Sequence, residues 1–439
     1  MMNETPRANR LHIAIFGKRN AGKSSLINAL TNQQAAIVSD TPGTTTDPVY
    51  KSMELLPIGP VVLIDTPGLD DTGELGEQRV RRTMEVLEKT DLALLVASGT
   101  PDALEEGLLH TLEERNIPVV CIRNQFDGSG GEQKPSPTGG DVPRGNTPSG
   151  GKASVLTDAA VEGKTSVPID APVGGEAVFD GRSYLCVNAK TGGGMEELKQ
   201  KIIRYAKPDS GVLHILDGLV SPGDTVVLVT PIDAAAPKGR LILPQQQVLR
   251  DVLDHDAAAF VTQPNRLTQT LASLKADPRL VICDSQAFGA VARDVPERVP
   301  LTSFSILFSR FKGELPRLYR NLQALHTLAP GDPVLICEGC THHRQKNDIG
   351  SVQIPRILQE LADGGLDISY ASGNGFPSDL GQYKLIVHCG GCMLTQKEMA
   401  SRANRAEEAG VPMLNYGMVL ASYNHVLDRA MRVFETRQA

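Results

Sequence analysis

The segment Gly17–Ser24 constrains the fold of this 439-residue chain more than any other feature. It fits the pattern GxxxxGK[ST], follows the apolar run Leu11–Phe16 and overlaps the start of the helical pattern Ser24–Leu30. Glycine permits a loop whose backbone N–H groups wrap a phosphate without Cβ clashes, and a helix start adds positive charge there. The sequence therefore predicts a strand, a phosphate-binding loop and a helix, the opening unit of an α/β domain.

Alternating apolar runs and helical patterns divide the chain into three predicted α/β domains. Residues 1–208 show the alternation expected of a parallel-strand sheet with helices on both faces, a Ras-like P-loop domain. A second α/β unit covers 209–300, and a third, with parallel strands, covers 301–439. Within the first domain, residues 128–182 contain 12 Gly and 6 Pro, so an insertion that is at least partly disordered is expected there.

The loop and two later segments carry the groups that bind phosphate and magnesium in nucleotide-binding proteins. Lys23 would neutralise the outer phosphates, and the Ser24 hydroxyl would ligate Mg²⁺. Asp65, at the end of a predicted strand, stands where a second ligand holds this ion, and Gly68 would offer its N–H to the γ-phosphate. Thr45, in the polar stretch before Asp65, is expected to close over magnesium. The predicted phosphate contacts are Gly17, Asn20, Ala21, Gly22, Lys23, Ser24 and Ser25, and hydrolysis is assigned to Lys23, Thr45 and Gly68.

Two later motifs predict which base is bound. They comprise Asn124 and Asp127 after one predicted strand, and Asn188, Ala189 and Lys190 after the next. Together they resemble the guanine-reading NKxD and SAK motifs of small G proteins, with Gln125 and Asn188 as departures. The Asp127 carboxylate would accept from both guanine N–H groups, which adenine does not offer. GTP is therefore the expected nucleotide.

Leu69 stands where many G proteins carry a glutamine that orients the attacking water. The chain resembles the translation-factor-related GTPases that lack this glutamine, close to the group that acts in tRNA modification and ribosome assembly. That resemblance implies slow hydrolysis stimulated by K⁺, with Asn20 matching the potassium ligand.

Cysteines and histidines after two C-terminal strands indicate a metal centre. Cys340 and His342 follow the strand predicted at Val334–Cys337, and His388, Cys389 and Cys392 follow or end the strand at Leu385–His388. The carboxyl ends of parallel strands lie at one edge of a sheet, where open α/β sheets place ligands. Three thiolates with nearby imidazoles suit an iron–sulfur cluster.

A structural zinc site is the alternative for the same residues. Cys337 and Cys340 form one CxxC pair, and Cys389 and Cys392 form another. Cys337, however, sits inside an apolar run and is expected to be a buried core residue. The other cysteines are also expected in the core: Cys121, Cys186 and Cys283. Six histidines belong to no motif and receive no predicted role: His12, His110, His214, His255, His326 and His425.

Composition narrows the function classes. The net charge of −7 disfavours a chain-wide nucleic-acid binder, which would be basic. No apolar run reaches the roughly 18 residues of a membrane-spanning helix, and the chain start lacks a signal-peptide core. A cytoplasmic protein without membrane partners is expected, and nucleic acid is a disfavoured partner.

The G-protein motifs combined with C-x-H and H-C-x-x-C in the last third resemble the HydF family of [FeFe]-hydrogenase maturation GTPases. The resemblance implies a G domain, a middle dimerisation domain that makes the protein a homodimer, and a C-terminal cluster domain. It implies a [4Fe–4S] cluster on Cys340, Cys389 and Cys392, with His342, His388 or a nearby carboxylate as candidates for the fourth position.

The same resemblance implies a scaffold that assembles the di-iron subcluster precursor and delivers it to apo-[FeFe]-hydrogenase. The implied partners are that hydrogenase and the radical-SAM maturases HydE and HydG, with GTP hydrolysis timing their exchange. Two rival functions remain at this stage. One is a GTPase with a structural zinc module acting in RNA modification or ribosome assembly, and the other is a GTP-regulated redox sensor.

Overall fold

Three β-sheets organise the described residues of the computed structural model, which are 7–31, 48–68, 82–97, 102–124, 172–179, 181–206, 214–232, 241–339, 348–373 and 375–435. The chain divides into two units. One comprises His12–Val86 and Asp91–Lys207, and the other comprises Met1–Leu11, Leu87–Thr90 and Pro208–Ala439. No helix among the described residues is long and apolar enough to cross a lipid bilayer.

The N-terminal unit contains a seven-stranded sheet of order β2-β3-β1-β4-β5-β7-β6. Its strands are β1 Leu11–Phe16, β2 Val49–Leu55, β3 Gly59–Asp65, β4 Leu92–Ala97, β5 Val119–Asn124, β6 Glu176–Phe179 and β7 Arg182–Val187. Its helices are α1 Lys23–Thr31, α2 Ala103–Glu114 and α3 Met195–Ala206, and residues 82–87 are also helical. The pairs β1–β4, β4–β5 and β5–β7 are parallel. The predicted Ras-like fold with a parallel-strand sheet is confirmed.

Both edges of this sheet contain strands that the sequence did not predict. The strand β2 is mostly exposed or half-buried and pairs with β3 in antiparallel register, so it lacks the apolar run that marks a buried strand. The strand β6 lies inside the predicted insertion 128–182 and pairs antiparallel with β7. The last part of that segment is therefore ordered structure, while residues 125–171 lie outside the described residues.

The second unit begins with a four-stranded parallel sheet of order β11-β10-β8-β9. Its strands are β8 Thr225–Val229, β9 Ala258–Thr262, β10 Leu280–Cys283 and β11 Leu301–Ser303. Its helices are α4 Leu243–Asp254, α5 Leu267–Ser273, α6 Phe288–Asp294 and α7 Phe304–Phe311. The predicted boundary at residue 300 is too early, because β11 pairs with β10 and Leu307 of α7 packs into the core that contains Val226.

The last sheet is also parallel and has the order β13-β12-β14-β15. Its strands are β12 Pro333–Glu338, β13 Asp367–Ser372, β14 Leu385–His388 and β15 Met413–Asn415. Its helices are α8 Leu315–Arg320, α9 Ile354–Leu361, α10 Gln396–Glu408, α11 Tyr416–Tyr423 and α12 Leu427–Glu435. Two helices lie close together at the end of this unit, because His425 adopts a φ of +58° and separates the end of α11 from the start of α12.

The middle and C-terminal sheets of this unit share one apolar core. Val281 and Phe288 of the middle sheet region belong to the same buried cluster as Ile386 and Met418 of the C-terminal region. Polar side chains reinforce the junction, since the Asn415 amide donates to the Ser305 carbonyl at 3.2 Å. The two sheets are therefore packed as one body.

Candidate functional site

The predicted phosphate loop connects β1 to α1 in a conformation that requires glycine. Gly17 has a φ of +148°, and a Cβ atom there would lie 2.3 Å from the Val96 carbonyl oxygen of β4. Gly22 has a φ of +87°, and its carbonyl accepts from the Leu26 N–H at 2.9 Å as the first turn of α1 forms. Asn20 adopts a φ of +60°, a region that asparagine tolerates better than most residues. The loop therefore follows the backbone course that the motif predicts.

Lys23 and Ser24 lie at the start of α1 and present their polar atoms to this loop. The Lys23 ammonium donates to the Gly17 carbonyl at 2.8 Å and to the Lys18 carbonyl at 2.7 Å. The Ser24 hydroxyl donates to Asp65 Oδ2 at 2.6 Å. Two of the three predicted magnesium ligands thus meet, although they are 41 residues apart in sequence. The third, Thr45, lies outside the described residues.

Burial raises the pKa of the Asp65 carboxyl above its usual value, while the Ser24 hydrogen bond and the charge of Lys23 oppose the shift. A divalent cation at this position would offset the same desolvation, because it offers the carboxylate a strong positive partner. Gly68 follows β3 three residues later and is half-buried. The carboxylate therefore has the environment of a metal ligand.

Asn124 connects the phosphate loop to the second guanine motif. Its side-chain amide donates to the Ala21 carbonyl at 3.2 Å, and its Oδ1 accepts from the Ala189 N–H at 3.1 Å. Asn188 Oδ1 accepts from the N–H groups of Lys190 at 3.1 Å and of Thr191 at 3.0 Å, so it closes the turn itself. Asp127 and Gln125 lie outside the described residues, so the predicted base-reading carboxylate is not placed.

Cys389 follows β14, and two backbone N–H groups point at its sulfur. Its Sγ accepts from the Gly339 N–H at 3.1 Å and from the Gly391 N–H at 3.4 Å. Burial raises the pKa of this thiol, and the two N–H donors oppose that shift because they favour the thiolate. Gly391 has a φ of +64°, and a Cβ there would lie 2.6 Å from Met399 Sδ. The loop after β14 therefore requires glycine and directs two N–H donors at the Cys389 sulfur.

Cys392 is half-buried and lies near a buried lysine. Lys312 is 4% exposed and donates to the Leu394 carbonyl at 2.7 Å. Burial lowers its pKa to about 8, while the neighbouring Cys392 and Glu398 raise it. A capping box starts α10, since the Thr395 hydroxyl accepts from the Glu398 N–H at 3.1 Å and Glu398 Oε2 accepts from the Thr395 N–H at 2.7 Å. Positive charge and a helix start therefore lie next to Cys392.

Both ring nitrogens of His388 are engaged within the protein. Its Nδ1 donates to the Cys389 carbonyl at 2.8 Å, and its Nε2 accepts from Arg402 Nη1 at 2.8 Å. Burial, with the adjacent Arg402 charge, lowers the pKa of this fully buried histidine to about 3. In this arrangement neither nitrogen of His388 offers a lone pair to a metal, which disfavours this histidine as the fourth ligand. His342 and Cys340 lie outside the described residues.

Cys337 lies within β12 and is fully buried in the apolar cluster that contains Leu335 and Ile386. Burial raises the pKa of its thiol to about 12, so it remains a neutral core group. This position disfavours the zinc alternative, which needs Cys337 as a thiolate ligand. The remaining core cysteines are buried as predicted: Cys121, Cys186 and Cys283.

Two groups beside Cys389 were not identified from the sequence. Glu338 ends β12 and is 4% exposed, and the Tyr416 hydroxyl lies near its carboxylate. A Cβ at Gly350 would lie 2.4 Å from Glu338 Oε1 and 2.5 Å from the Tyr416 oxygen. The Tyr416 hydroxyl is buried without a hydrogen-bond partner among the described residues. The only available sequence signal was that Glu338 lies two residues before Cys340.

Family models match the chain in three consecutive parts. A 50S ribosome-binding GTPase model matches residues 12–125. The Hydrogen maturase F dimerization domain matches 215–313, and the Hydrogen maturase F tetramerization domain matches 316–433. The last two models together match about half of the chain, in the order of HydF. The chain belongs to the HydF family. In HydF terms, the β8–β11 sheet is the dimerization domain, and the β12–β15 sheet, with Cys389 and Cys392, is the tetramerization domain.

Individual relatives match the G domain alone. The tRNA modification GTPase MnmE of Nitrosomonas europaea is 41% identical over 120 residues, which make up 27% of this chain and 26% of that protein. MnmE of Acinetobacter baylyi is 46% identical over 123 residues, with the same coverage. The chain therefore spans about a quarter of the length of these relatives.

Solved structures of other G proteins also align with parts of this chain. Aquifex aeolicus Era bound to GDP·AlF4⁻ covers 60% of this chain and 97% of its own, with 17% identity and a TM-score of 0.31. The G domain of the T. maritima iron transporter FeoB covers 45% of this chain and 99% of its own, with 22% identity and a TM-score of 0.27. Because both TM-scores are low, the family assignment rests on the domain models.

Proposed function

We propose that this chain is a GTPase that carries an iron–sulfur cluster and uses it to assemble the di-iron precursor of [FeFe]-hydrogenase and deliver it to the apo-enzyme. One observation carries the proposal. A chain of the HydF family combines a formed phosphate loop with a glycine-dependent loop that directs two N–H groups at Cys389. The proposed partners are HydE, HydG and apo-[FeFe]-hydrogenase, and the proposed location is the cytoplasm.

The nucleotide half of the proposal follows from residues in the G domain. The loop N–H groups and the Lys23 ammonium hold the phosphates, while Ser24, Asp65 and Thr45 supply oxygen ligands for magnesium. Magnesium, when bound, neutralises charge on the β- and γ-phosphates. Gly68 would offer its N–H to the γ-phosphate. Because Leu69 has no group to orient water, hydrolysis would be slow, and Asn20 would help to hold a K⁺ ion that stabilises the developing charge.

The cluster half of the proposal places Cys340, Cys389 and Cys392 as thiolate ligands. N–H donors at Cys389 and the Tyr416 hydroxyl, which has no hydrogen-bond partner among the described residues, fit a buried anionic group there, because both offer hydrogen bonds to negative charge. Since His388 is fully engaged, the buried carboxylate of Glu338 is the better candidate for the fourth position. The cluster, when bound, supplies an iron site whose oxygen ligand is more readily displaced than a thiolate.

Oligomerisation is the third part of the proposal. The dimerization-domain match at 215–313 supports a homodimer, and the tetramerization-domain match supports further association. GTP hydrolysis then times the exchange of partners on this assembly and does not power the cluster chemistry.

Anaerobic reconstitution of the full chain tests the cluster. Iron and sulfide assays with EPR of the reduced protein should show a [4Fe–4S] cluster in the parent and a strongly diminished one in Cys389→Ser. The Cys389→Ser variant should lose hydrogenase maturation and keep GTP turnover. The matched control is Cys337→Ala, which removes a core thiol from the same sheet and should keep the cluster.

Zinc without iron in the parent would contradict the cluster and favour the RNA-modification alternative. Loss of metal in Cys337→Ala would also favour that alternative, because a structural zinc site would use all four cysteines of the two CxxC pairs. Separately, unchanged turnover when NaCl replaces KCl would refute the role of K⁺, and equal affinity for ATP and GTP would refute the guanine preference.

A further inference from the structure

We propose that the dimerization domain binds a divalent transition metal ion between the turn at His214–Asp217 and the end of α4. His214, Asp251 and His255 each offer one ligand atom, and these atoms lie within 4.8 Å of one another. This is the one such group of His, Cys, Asp or Glu among the described residues. The fourth candidate is Asp217, whose Oδ1 lies 3.5 Å from His255 Nε2. The site belongs to a different sheet from the proposed cluster and uses none of its ligands.

The two pairs have spacings that let each pair chelate one ion. Asp251 and His255 are four residues apart at the end of α4 and therefore share a helix face. His214 and Asp217 are three residues apart in a tight turn, which the hydrogen bond from the His214 N–H to Asp217 Oδ2 closes at 2.8 Å. Only folding brings these two pairs together. Neither pair by itself forms a recognisable metal-binding motif, so the sequence did not predict the site.

His255 is held as a metal-binding histidine is held in known sites. Its Nδ1 donates to the Asp251 carbonyl at 2.8 Å, so in the neutral imidazole Nε2 carries the lone pair. Metal-ligating imidazoles commonly donate their second N–H to a backbone carbonyl in this way. The Nε2 atom faces the Asp217 carboxylate, so a nitrogen and an oxygen ligand already converge.

Asp251 and His214 complete the ligand set. Asp251 is 6% exposed, its Oδ1 lies 2.7 Å from His214 Nδ1, and its Oδ2 accepts from the Leu216 N–H at 2.7 Å. An ion would replace the proton that joins His214 to Asp251. The Leu216 hydrogen bond would continue to orient the carboxylate, as second contacts do in metal sites.

The imidazole rings have the separation that a shared tetrahedral ion produces. Their centroids lie 5.2 Å apart with an interplanar angle of 80°. Two rings on one ion at about 2.0–2.1 Å would have centroids roughly 5 Å apart. Two imidazoles with one or two carboxylates suit Zn²⁺, and the same donors accept Fe²⁺.

An ion has a route to this site. His214 and Asp217 line a cavity of about 420 Å³ that also contacts Arg310 and Lys312. The Arg310 guanidinium donates to the carbonyls of Ile215 at 3.2 Å and Asp217 at 2.7 Å. It therefore holds the turn by its backbone and does not occupy the side chains of His214 and Asp217. Metal access therefore does not require the sheet to open.

Zn²⁺ binding to the full-length chain tests the proposal. The experiment uses a Cys389→Ser, Cys392→Ser background, so that thiolates do not take up the added metal, and measures bound zinc by equilibrium dialysis and elemental analysis. We expect one equivalent in this parent, an affinity at least about tenfold lower in His255→Gln, and no change in the exposed control His326→Gln. Fe²⁺ in an anaerobic arm distinguishes an iron site from a zinc site.

Two further readouts separate a metal site from a hydrogen-bonded network. Co²⁺ should give the visible bands of a tetrahedral nitrogen and oxygen site without the near-ultraviolet bands of thiolate ligation. Asp217→Asn keeps the acceptor for the His214 N–H, so it should fold, yet it should bind zinc more weakly. A parent that takes up no zinc or Fe²⁺, or His255→Gln and Asp217→Asn variants that both bind like the parent, would overturn the proposal and leave a network that only pins the turn to α4.

Discussion

Gly17→Ala should separate the backbone cost of the phosphate loop from its steric cost. Alanine at a φ of +148° costs about 1–3 kcal/mol of folding stability. The new Cβ would also lie 2.3 Å from the Val96 carbonyl oxygen, whereas ordinary contact begins at 3.4 Å. The loop must therefore move away from β4 by about 1 Å, a displacement that can lower turnover about 100-fold.

Gly59→Ala is the matched control, because Gly59 has a φ of +95° in the same unit with no atom within 4 Å of the added Cβ. Urea unfolding should show the backbone cost alone in Gly59→Ala and a larger loss of stability in Gly17→Ala, where the steric cost is added. Steady-state phosphate release should fall in Gly17→Ala alone. Parental turnover in Gly17→Ala, or an equal loss in Gly59→Ala, would refute the assignment of the loop to the phosphates.

Three further predictions concern single side chains. Asn124→Ala removes a donor to Ala21 and an acceptor for Ala189, so it should lower the free energy of unfolding in urea by about 1–3 kcal/mol. It should also weaken GTP binding in a fluorescent-nucleotide titration, and unchanged affinity would argue that Asn124 does not connect the phosphate loop to the guanine motif. Asp65→Asn should raise stability at neutral pH without Mg²⁺ and nucleotide, because burial raises the pKa of Asp65 and its charge opposes folding. The gain should disappear as the pH falls through the raised pKa of Asp65 toward the usual aspartate value, and a gain that persists in acid would contradict this sign. Arg402→Met should lower the thermal midpoint by removing the donors to His388 and Gly373, while Arg356→Met, on an exposed helix face, should change it little.

Local signals predicted the parts of the fold that local chemistry determines. The bounds of β1 and β4 follow from continuous apolar runs that a sheet covered on both faces requires. The Thr395–Glu398 capping box starts α10 as the side chains dictate. The edge strand β2 contains no such apolar run, and the end of α11 depends on the backbone angle of His425. The sequence therefore predicted neither feature.

The candidate sites also contain some residues that local sequence predicts and others that only the fold brings together. The phosphate loop and the Cys389–Cys392 loop are contiguous segments with strong residue preferences, so their sequence motifs identified them. The contact between Ser24 and Asp65 was expected because both residues occupy positions of magnesium ligands in nucleotide-binding proteins. Glu338, Tyr416 and Arg402 become neighbours of Cys389 only through strand register and helix packing. A single sequence contains no record of those long-range contacts.

The lysine beside Cys392 limits how this protein can be cut into fragments that fold independently. Lys312 belongs to the dimerization-domain segment, yet it donates to the Leu394 carbonyl in the loop that follows Cys389 and Cys392. Arg429, near the chain end, likewise donates to the Val295 and Val299 carbonyls of the middle region. A fragment starting at residue 316 would lose these partners and expose half of a shared core. The smallest fragment that keeps the Cys392 loop in its native setting therefore contains both sheets and the preceding turn at His214–Asp217. An inserted sequence should be tolerated better before His214 than between the two sheets.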